Sequence, residues 1–335
     1  MVGSVDVIIA AWNRADTIER ALLSALREPE VRTVIVVDDG SSDDTAARAE
    51  RIAAEHSGRG VVRRLPTNRG PAAARNAGLE MSTAAWVAIL DGDDFFLPGR
   101  IKGLLAHADD YDFVADDLLQ VQEGQEDAPA SSLLGPNFES WQLNLEAFVL
   151  GNVSRRGRLR KELGFLKPLM RRTFLDRHGL RYDESLRLGE DYAFYANALA
   201  LRARFRVVPA RGYVYVERSS SLSGSHTKEE LERFRNVYIN LEKIAGITAR
   251  ERRVLRLHYE SVDARAQWVG VIDAVKERSP FDFFVPFFRS RTVSVFLIRN
   301  LLQQGVLRSG KRLLELRRGL RAFLQKVFQN GRESM

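Results

Sequence analysis

The sequence predicts an α/β protein built on a mostly parallel central sheet, and three observations carry that expectation. Short apolar segments alternate with helix-period segments through the first half of the chain. Acidic or polar residues recur just past the carboxyl ends of those apolar segments, where open α/β sheets bind ligands. The 335 residues, 45% hydrophobic and 28% charged, suffice for one large domain with an appendage.

Taken in order, residues 5–11 read as a strand, and residues 16–26 carry helical spacing at Ile18, Ala21, Leu22 and Ala25. A second strand at 31–37 ends in Asp38-Asp39-Gly40-Ser41-Ser42. The Ala-rich helix at 43–54 follows, with Ser42 or Asp43 as its expected cap. A third strand at 61–65 leads through Asn68-Arg69-Gly70-Pro71 into a helix at 72–80. Trp86 to Leu90 is short, apolar and β-rich, so it reads as a buried strand, followed by a helix from Pro98 and a strand at 113–115. Residues 122–136 read as a surface loop. Beyond it come a basic segment at 154–161, a helix from Glu190, strands at 205–208 and 213–216, and nearly continuous helix after Glu229. The division expected from this pattern is an α/β domain over 1–228 and a helical extension over 229–335.

Asp91, Asp93 and Asp94 close the Trp86 strand, with Gly92 loosening the backbone between them. Carboxylates so placed repel one another unless a cation is present, and Mg²⁺ usually takes one or two carboxylates plus substrate phosphates. One reading is a site for a metal-bound nucleotide diphosphate. The other is an acidic turn that caps the helix starting near Pro98. Asn13 and Asp38/Asp39 fall at the same expected sheet edge, which favours a site.

Composition excludes several classes. The chain has no cysteine, hence no disulfide or thiolate metal site, which fits the cytosol. Val5–Ile9 enters a strand without a basic and then long apolar lead, so no secretory signal is expected. No run of about 18 uncharged apolar residues predicts a bilayer span. The net charge of +7 is weighted toward the end of the chain, yet no nucleic-acid module is recognisable and no nucleic-acid partner is expected. A dehydrogenase is disfavoured because no G-x-G-x-x-G follows the first strand.

The ordered motifs V-I-I-A-A-W-N, V-V-D-D-G-S-S-D-D-T, N-R-G-P-A-A-A-R-N-A-G, L-D-G-D-D and G-E-D-Y resemble family 2 glycosyltransferases of the GT-A fold, over roughly residues 5–215. Within that family, A-D-T-I, G-F-L-K-P-L-M-R-R, L-R-L-G-E-D-Y and S-L-S-G-S-H look closest to bacterial succinoglycan side-chain glucosyltransferases. The resemblance implies transfer from a UDP-sugar, UDP-glucose above all, with inversion and with Mn²⁺ or Mg²⁺ as cofactor. By motif position, Asp39 would accept a hydrogen bond from uracil, and Ala10 and Ala11 would line the base with backbone. Asn13 belongs to the same nucleotide-side set. Asp91 would hold the ribose side, Asp93 the metal and Asp191 the acceptor proton as catalytic base. Arg75 falls near the nucleotide, and Glu190 stands beside the base as an alternative to it. The usual Pro or Thr is absent at Ala10, so only a backbone role carries over there. Asp38 reads as structural, and Asp43 and Asp44 as helix-start charges. Arg218 and His226 are candidate phosphate or metal contacts; Trp141, Phe165 and Lys167 are candidate acceptor contacts. The competing reading of Asp191 is a helix-start charge that favours the macrodipole or caps amides.

One carboxylate base and one metal suffice for such chemistry. An inverting displacement needs a base opposite the leaving group, and a metal-bound diphosphate leaves without a carboxylic acid to protonate it. Near the end, the aromatic run Phe281-Asp282-Phe283-Phe284-Val285-Pro286-Phe287-Phe288 precedes Leu313, Leu316, Leu320, Phe323 and Val327 at helical spacing, with Arg312, Arg317, Arg318, Arg321 and Lys326 around them. That pattern suits a helix on an anionic membrane surface or a helix packing its apolar stripe on protein. The function expected is sugar transfer to a lipid-linked saccharide acceptor in exopolysaccharide synthesis, at the cytoplasmic side and peripheral on the inner face of the membrane. The rivals are a GT-A transferase with another sugar or acceptor and a non-catalytic nucleotide-sugar-binding scaffold.

Overall fold

The computed structural model describes residues 5–56, 58–126, 128–135, 138–153, 161–218 and 226–304. The chain forms two compact units, Met1–Val262 and Asp263–Met335.

The first unit is built on an eight-stranded sheet. β1 (Val5–Ala11) runs parallel between β2 (Val31–Asp38) and β4 (Trp86–Asp91), and β3 (Gly60–Arg64) runs parallel outside β2. These strands are nearly all apolar because helices cover both faces. α1 (Ile18–Leu26), α2 (Thr45–Glu55) and α3 (Pro71–Met81) supply that cover with Ile18, Leu22, Ile52, Ala73 and Leu79 buried. Gly78 permits the closest approach: a Cβ there would lie 2.3 Å from Ile8 Cγ2 on β1. Asp6 is buried in β1 yet satisfied, accepting bonds from Arg32, Ser82 and the amides of Thr83 and Ala84 at 2.7–3.1 Å.

Register aligns the chemistry. Ala10 sits opposite Asp91 and Ala11 opposite Asp38, so the three central strands end flush at one edge. Beyond β4 lie β10 (Leu169–Arg171), β6 (Phe113–Asp116), β11 (Phe205–Val208) and β9 (Trp141–Leu143). β10 is antiparallel to both its neighbours and β9 is antiparallel to β11. Six of the eight strands (β3, β2, β1, β4, β6 and β11) therefore share one direction, as expected, with two reversals that the sequence reading did not include. A second sheet combines β5 (Phe95–Phe96), β12 (Tyr213–Glu217), β7 (Leu119–Gln122) and β8 (Ser131–Ser132). Its last strand lies inside the stretch read as a loop. Asp117 ties that stretch down by accepting the Ser132 hydroxyl and the Leu134 amide.

Two helix starts differ from expectation. Asp44 flanks α2 without a side-chain cap, while Asp43 accepts the Thr45 amide at 3.0 Å and the Ala15 amide at 3.1 Å, tying the first two loops together. The helix expected from Pro98 is α4 (Arg100–Leu105), and the carboxylate at its start is Glu28, which accepts the Gly99 and Ile101 amides at 2.7 and 2.8 Å. The acidic-turn reading of Asp91, Asp93 and Asp94 thus fails, because their oxygens are engaged elsewhere.

α5 (Leu145–Gly151), α6 (Arg172–Arg177) and α7 (Glu190–Ala200) complete the layer beside β6 and β11, with Phe148, Phe174 and Phe194 in the core. α8 (Lys228–Glu242) starts with a capping box between Thr227 and Glu230. α9 (Ala249–Glu277) begins in the first unit, where His258 stacks on Tyr192 at 4.3 Å and Phe234 meets the same ring edge-on. The helical region expected from residue 229 thus gives α8 and the start of α9 to the first unit.

In the second unit, Ala264, Val271, Val293 and Leu297 form a small core with Trp268, Phe283, Phe287 and Phe296 packed against it. α10 (Pro280–Phe284), a 3₁₀ turn at Val285–Phe288 and helical residues 291–304 contribute. Phe281 and Phe288 are 75% and 87% exposed, and Phe284, Val295, Ile298 and Leu302 are exposed as well. Leu313 to Val327, with the arginines among them, lie outside the described residues.

The start of α9 yields a pH prediction. Glu251 accepts both Arg202 and the Thr248 amide, and the Arg202 hydrogen bond leads the causes that lower its pKa to about 2. A depressed carboxylate stabilises the fold above its unfolded value and loses that contribution as pH falls toward the folded one. Glu251→Gln should cost about 1–2 kcal/mol at pH 7. Urea unfolding should show the gap between variant and parent closing between about pH 5 and pH 2.

Candidate active site

The loops after β1, β2 and β4, the start of α3 and the start of α7 enclose a cavity of about 420 Å³ at the flush strand edge. Its lining includes Ala10, Ala11, Asp39, Arg75, Asp91, Asp93, Glu190 and Asp191, so strands and helices far apart in sequence supply one site. Among the residues expected there, Asn13 is not in the lining. It adopts φ +50°, donates its amide to Ser41 and accepts the Ser42 amide at 2.9 Å, joining the first two loops.

The floor is a cluster of buried charges. Arg75 donates to Asp91 at 2.7 Å, Glu190 at 2.9 Å and Asp191 at 3.0 Å. Lys167 Nζ lies 2.6 Å from Asp191 Oδ2 and 3.0 Å from Asp91 Oδ2. Arg75 and Lys167 are almost fully buried. Burial would raise the Asp91 carboxyl, but Lys167 and Arg75 outweigh it and hold the group well below the ordinary range. Burial would likewise depress the Lys167 ammonium, and Asp191 and Asp91 reverse that and raise it. Glu190 is pushed up by burial and by Asp191, against Arg75.

Gly189 makes the start of α7 fit. It holds φ +74°, and a Cβ there would lie 2.3 Å from the Phe234 ring. Glu190 and Asp191 then occupy the first turn, where the macrodipole favours negative charge. The flanking residue makes no side-chain cap, and Asp191 spends both oxygens on Lys167 and Arg75 rather than on helix amides.

The three carboxylates after β4 do not converge. Asp91 meets Arg75 and Lys167; Asp93 Oδ2 meets Arg14 Nε at 3.0 Å; Asp94 accepts the Tyr213 hydroxyl at 2.8 Å and the Val216 amide at 2.9 Å. Their mutual repulsion is therefore relieved by protein cations and donors. Burial raises the Asp93 carboxyl against Arg14, and burial with Asp93 and Asp91 pushes Asp94 well up. Asp39 accepts the Arg69 and Gly70 amides at 2.8 and 2.7 Å, which pins the turn into α3 while leaving its carboxylate in the cavity wall. Burial raises Asp39, and those amides oppose the shift.

A divalent cation fits this donor set in one way. Among the described residues no group of three or more His, Cys, Asp or Glu side chains is placed to hold a metal by itself. Asp93 offers hard carboxylate oxygen in the cavity wall, and Mg²⁺ or Mn²⁺ characteristically completes such a shell with phosphates and water.

Sequence reasoning did not anticipate several lining residues. Trp12, 41% exposed, and Arg14 flank Asn13 in the first motif; Arg187 donates to Asn68 at 3.1 Å; Tyr213 and Tyr215 come from β12. The period of two on the expected strand at 213–216 was the available signal for that tyrosine pair. Phe165 and Lys167, considered for the acceptor, do line the cavity, whereas Trp141 lies outside its lining with the Lys161 ammonium 4.9 Å over its ring. Arg218 pairs with Glu123 at 2.7 Å and with Asp16. Most of S-L-S-G-S-H and of the basic 154–161 segment lies outside the described residues.

Residues 6–161 match the family model for glycosyl transferase family 2. The chain is 51% identical over 230 residues to the succinoglycan biosynthesis protein ExoU of Rhizobium meliloti, covering 68% of this chain and 66% of that one. It is 38% identical over 232 residues to the succinoglycan biosynthesis protein ExoO of the same organism, covering 66% and 63%. The chain thus spans roughly two thirds of the length of these relatives. Its fold resembles the crystal structure of S. aureus TarS 1–349 in complex with UDP-GlcNAc, with a TM-score of 0.61 at 17% identity over 84% of this chain and 89% of that one. It also resembles the mannosyltransferase PcManGT from Pyrobaculum calidifontis in complex with GDP-Man and Mn²⁺, with a TM-score of 0.52 at 17% identity over 89% and 86%.

The charge cluster predicts a specific weakness. Lys167→Met leaves Asp91, Glu190 and Asp191 with Arg75 alone, and breaking a buried ion cluster by removing one partner costs about 3–5 kcal/mol. Chemical denaturation at pH 8 should show that loss. The deficit should shrink as pH falls toward 5, because a proton on one of the stranded carboxylates replaces the missing cation.

Proposed function

The chain belongs to glycosyl transferase family 2 and has the GT-A fold, and from that premise we propose that it is an inverting, metal-dependent transferase that moves glucose from UDP-glucose to a lipid-linked saccharide in the synthesis of a succinoglycan-like polysaccharide. The single observation that supports this reading best is the cavity itself, whose lining brings Asp39, Asp91 and Asp93 together with Glu190 and Asp191. The relatives named for succinoglycan biosynthesis support the product class.

In this reading the uracil lies along the Ala10 and Ala11 backbone, with Asp39 accepting from the base and Asn13 holding the loop beside it. Asp91 receives the ribose side. Asp93 would hold Mn²⁺ or Mg²⁺, and the cation would stabilise the charge that grows on the leaving diphosphate. The acceptor hydroxyl attacks the anomeric carbon as the bond to the diphosphate breaks, and its proton passes to Asp191. Two hydrogen bonds occupy only part of the acceptor capacity of a carboxylate, so Asp191 can take that proton while Lys167 and Arg75 hold it in place. Glu190, which accepts Arg75 at 2.9 Å and is raised by burial, is the alternative base.

Asp191→Asn keeps the shape and removes the base, so transfer of radiolabelled glucose should fall by roughly 10²–10⁴-fold with UDP affinity retained. Asp93→Ala should remove the Mn²⁺-dependent part of UDP affinity in calorimetry. Parent-level transfer by Asp191→Asn alongside an inactive Glu190→Gln reverses the assignment of the base, and metal-dependent UDP affinity unchanged in Asp93→Ala removes the metal ligand.

The second unit completes the proposal with a place of work, peripheral on the cytoplasmic face of the membrane. No helix among the described residues is long and apolar enough to cross a membrane. Exposed Phe281, Phe284 and Phe288 supply insertable aromatic surface, and the surplus of cations near the end supplies attraction to acidic headgroups. Replacing these three phenylalanines with Ser in the full chain should reduce co-sedimentation with anionic vesicles while leaving UDP binding intact. Added salt should weaken parent binding as screening shortens the electrostatic range. A parent that ignores anionic vesicles ends the membrane reading.

A further inference from the structure

A second cavity, of about 180 Å³, adjoins the first and shares Phe165 and Tyr215 with it. The two rings lie 6.2 Å apart at an angle of 49°, so together they form a wall between the two spaces. Beyond that wall the lining changes character. Gln120, Glu162 and Glu217 take the place of the paired charges on the first cavity's floor, with Leu118 and Leu133 completing the lining.

β12 connects the two spaces. Alternate residues of a strand share a face and advance by about 7 Å per pair. Tyr213 lines the first cavity, Tyr215 lines both and Glu217 lines the second. Gln120 is the register partner of Tyr215 on β7, which sets its amide beside the shared wall. Glu217 accepts Gln122 Nε2 at 2.6 Å, which fixes its carboxylate.

The backbone supplies an independent observation. Glu162 sits at φ +50°, a conformation that non-glycine residues rarely adopt, and it leads into the 3₁₀ turn Leu163–Phe165 that presents Phe165 to both cavities. Strain of this kind persists where the surroundings hold it, and it gathers at functional sites.

The geometry points to the second cavity as a subsite for a neutral sugar unit of the acceptor, the unit next to the one whose hydroxyl is glycosylated. This rests on the transferase reading above. The Gln120 amide, the Glu217 carboxylate held by Gln122 and two aromatic faces together suit a ring of hydroxyls with an apolar face. One strand face leads from the donor pocket to this space in steps on the scale of a sugar unit. The acceptor chain would then be read over two sugar units, and the second unit would set specificity without touching the reacting atoms.

The test uses the full chain, radiolabelled UDP-glucose and a bacterial membrane lipid extract as acceptor. Gln120→Ala should raise the half-saturating amount of extract by about tenfold, the loss of one ordinary hydrogen bond, with the rate at saturation kept. Leu133→Trp fills the cavity and should abolish transfer to lipid. Both variants should bind UDP as the parent does in calorimetry, which shows the fold and donor pocket intact. If both transfer to the extract with the parent's half-saturation, the subsite is overturned and the transferase reading stands. If UDP affinity falls together with transfer in both, the cavity serves the donor site or the fold, and the subsite is again overturned. A parent that labels no lipid at all overturns the transferase reading and the subsite with it.

Discussion

Neutralising three carboxylates within one buried floor is the constraint on which the rest of this structure depends. Asp91, Glu190 and Asp191 come from the end of β4 and the start of α7, and they lie close enough together to share one buried guanidinium. Arg75 from α3 and Lys167 from the segment before β10 supply the opposing charge. Each cation bridges more than one anion, so the whole set of charges is satisfied only when four chain segments have arrived. Such a cluster adds little net stability compared with apolar packing, but it is intolerant of partial assembly. It therefore specifies one arrangement of the sheet edge.

That floor is braced from below by a second buried pair. Arg100 and Asp116 are fully buried, and Arg100 donates to Asp116 at 2.7 Å and to the Lys167 carbonyl at 2.6 Å. The same Asp116 accepts the Arg211 and Tyr213 amides. One ion pair thus fixes the backbone on either side of the cavity: the segment that presents Lys167 and the strand that presents Tyr213 and Tyr215. Asp94 closes the loop by accepting both the Tyr213 hydroxyl and the Val216 amide, which locks β12 to the end of β4. The motif after β4 therefore divides its labour. Asp91 balances charge, Asp93 is left in the cavity wall opposite Arg14, and Asp94 is structural.

The small second sheet gains its meaning from this bracing. It is too short in every strand to stand alone, and its apolar core is Val121, Val214 and Val216 with Phe95 and Leu119 against them. Held by Asp94 and Asp116, it lays a face of tyrosine and carboxylate beside a floor of alternating charge. In the proposed function this arrangement keeps the donor and the acceptor on separate walls.

The sequence by itself determined what is local or periodic. Apolar runs and helical spacing gave β1, β2, β4 and α1–α3 because these elements are long and covered on known faces, and the motif order placed Asp39, Asp91, Asp93 and Asp191 at the ends of such elements. Position at a strand end is legible because strands in open α/β sheets finish at a common edge. Only the tertiary structure decided what each side chain meets there. Arg75 and Asp191 are 116 residues apart, and nothing periodic links them. β10, β5, β7 and β8 are two to four residues long, too short for a period to be recognised, and although 213–216 reads as a strand, only the fold shows that it presents Tyr213 and Tyr215, and the segment before β10 Lys167, to the cavity. Asn13 reads as a binding residue and Asp43 as a helix-start charge, and only the fold adds their partners on neighbouring loops. Type and spacing along the chain announce that a site exists; the pairing of its charges is a long-range property that arises only when the segments meet.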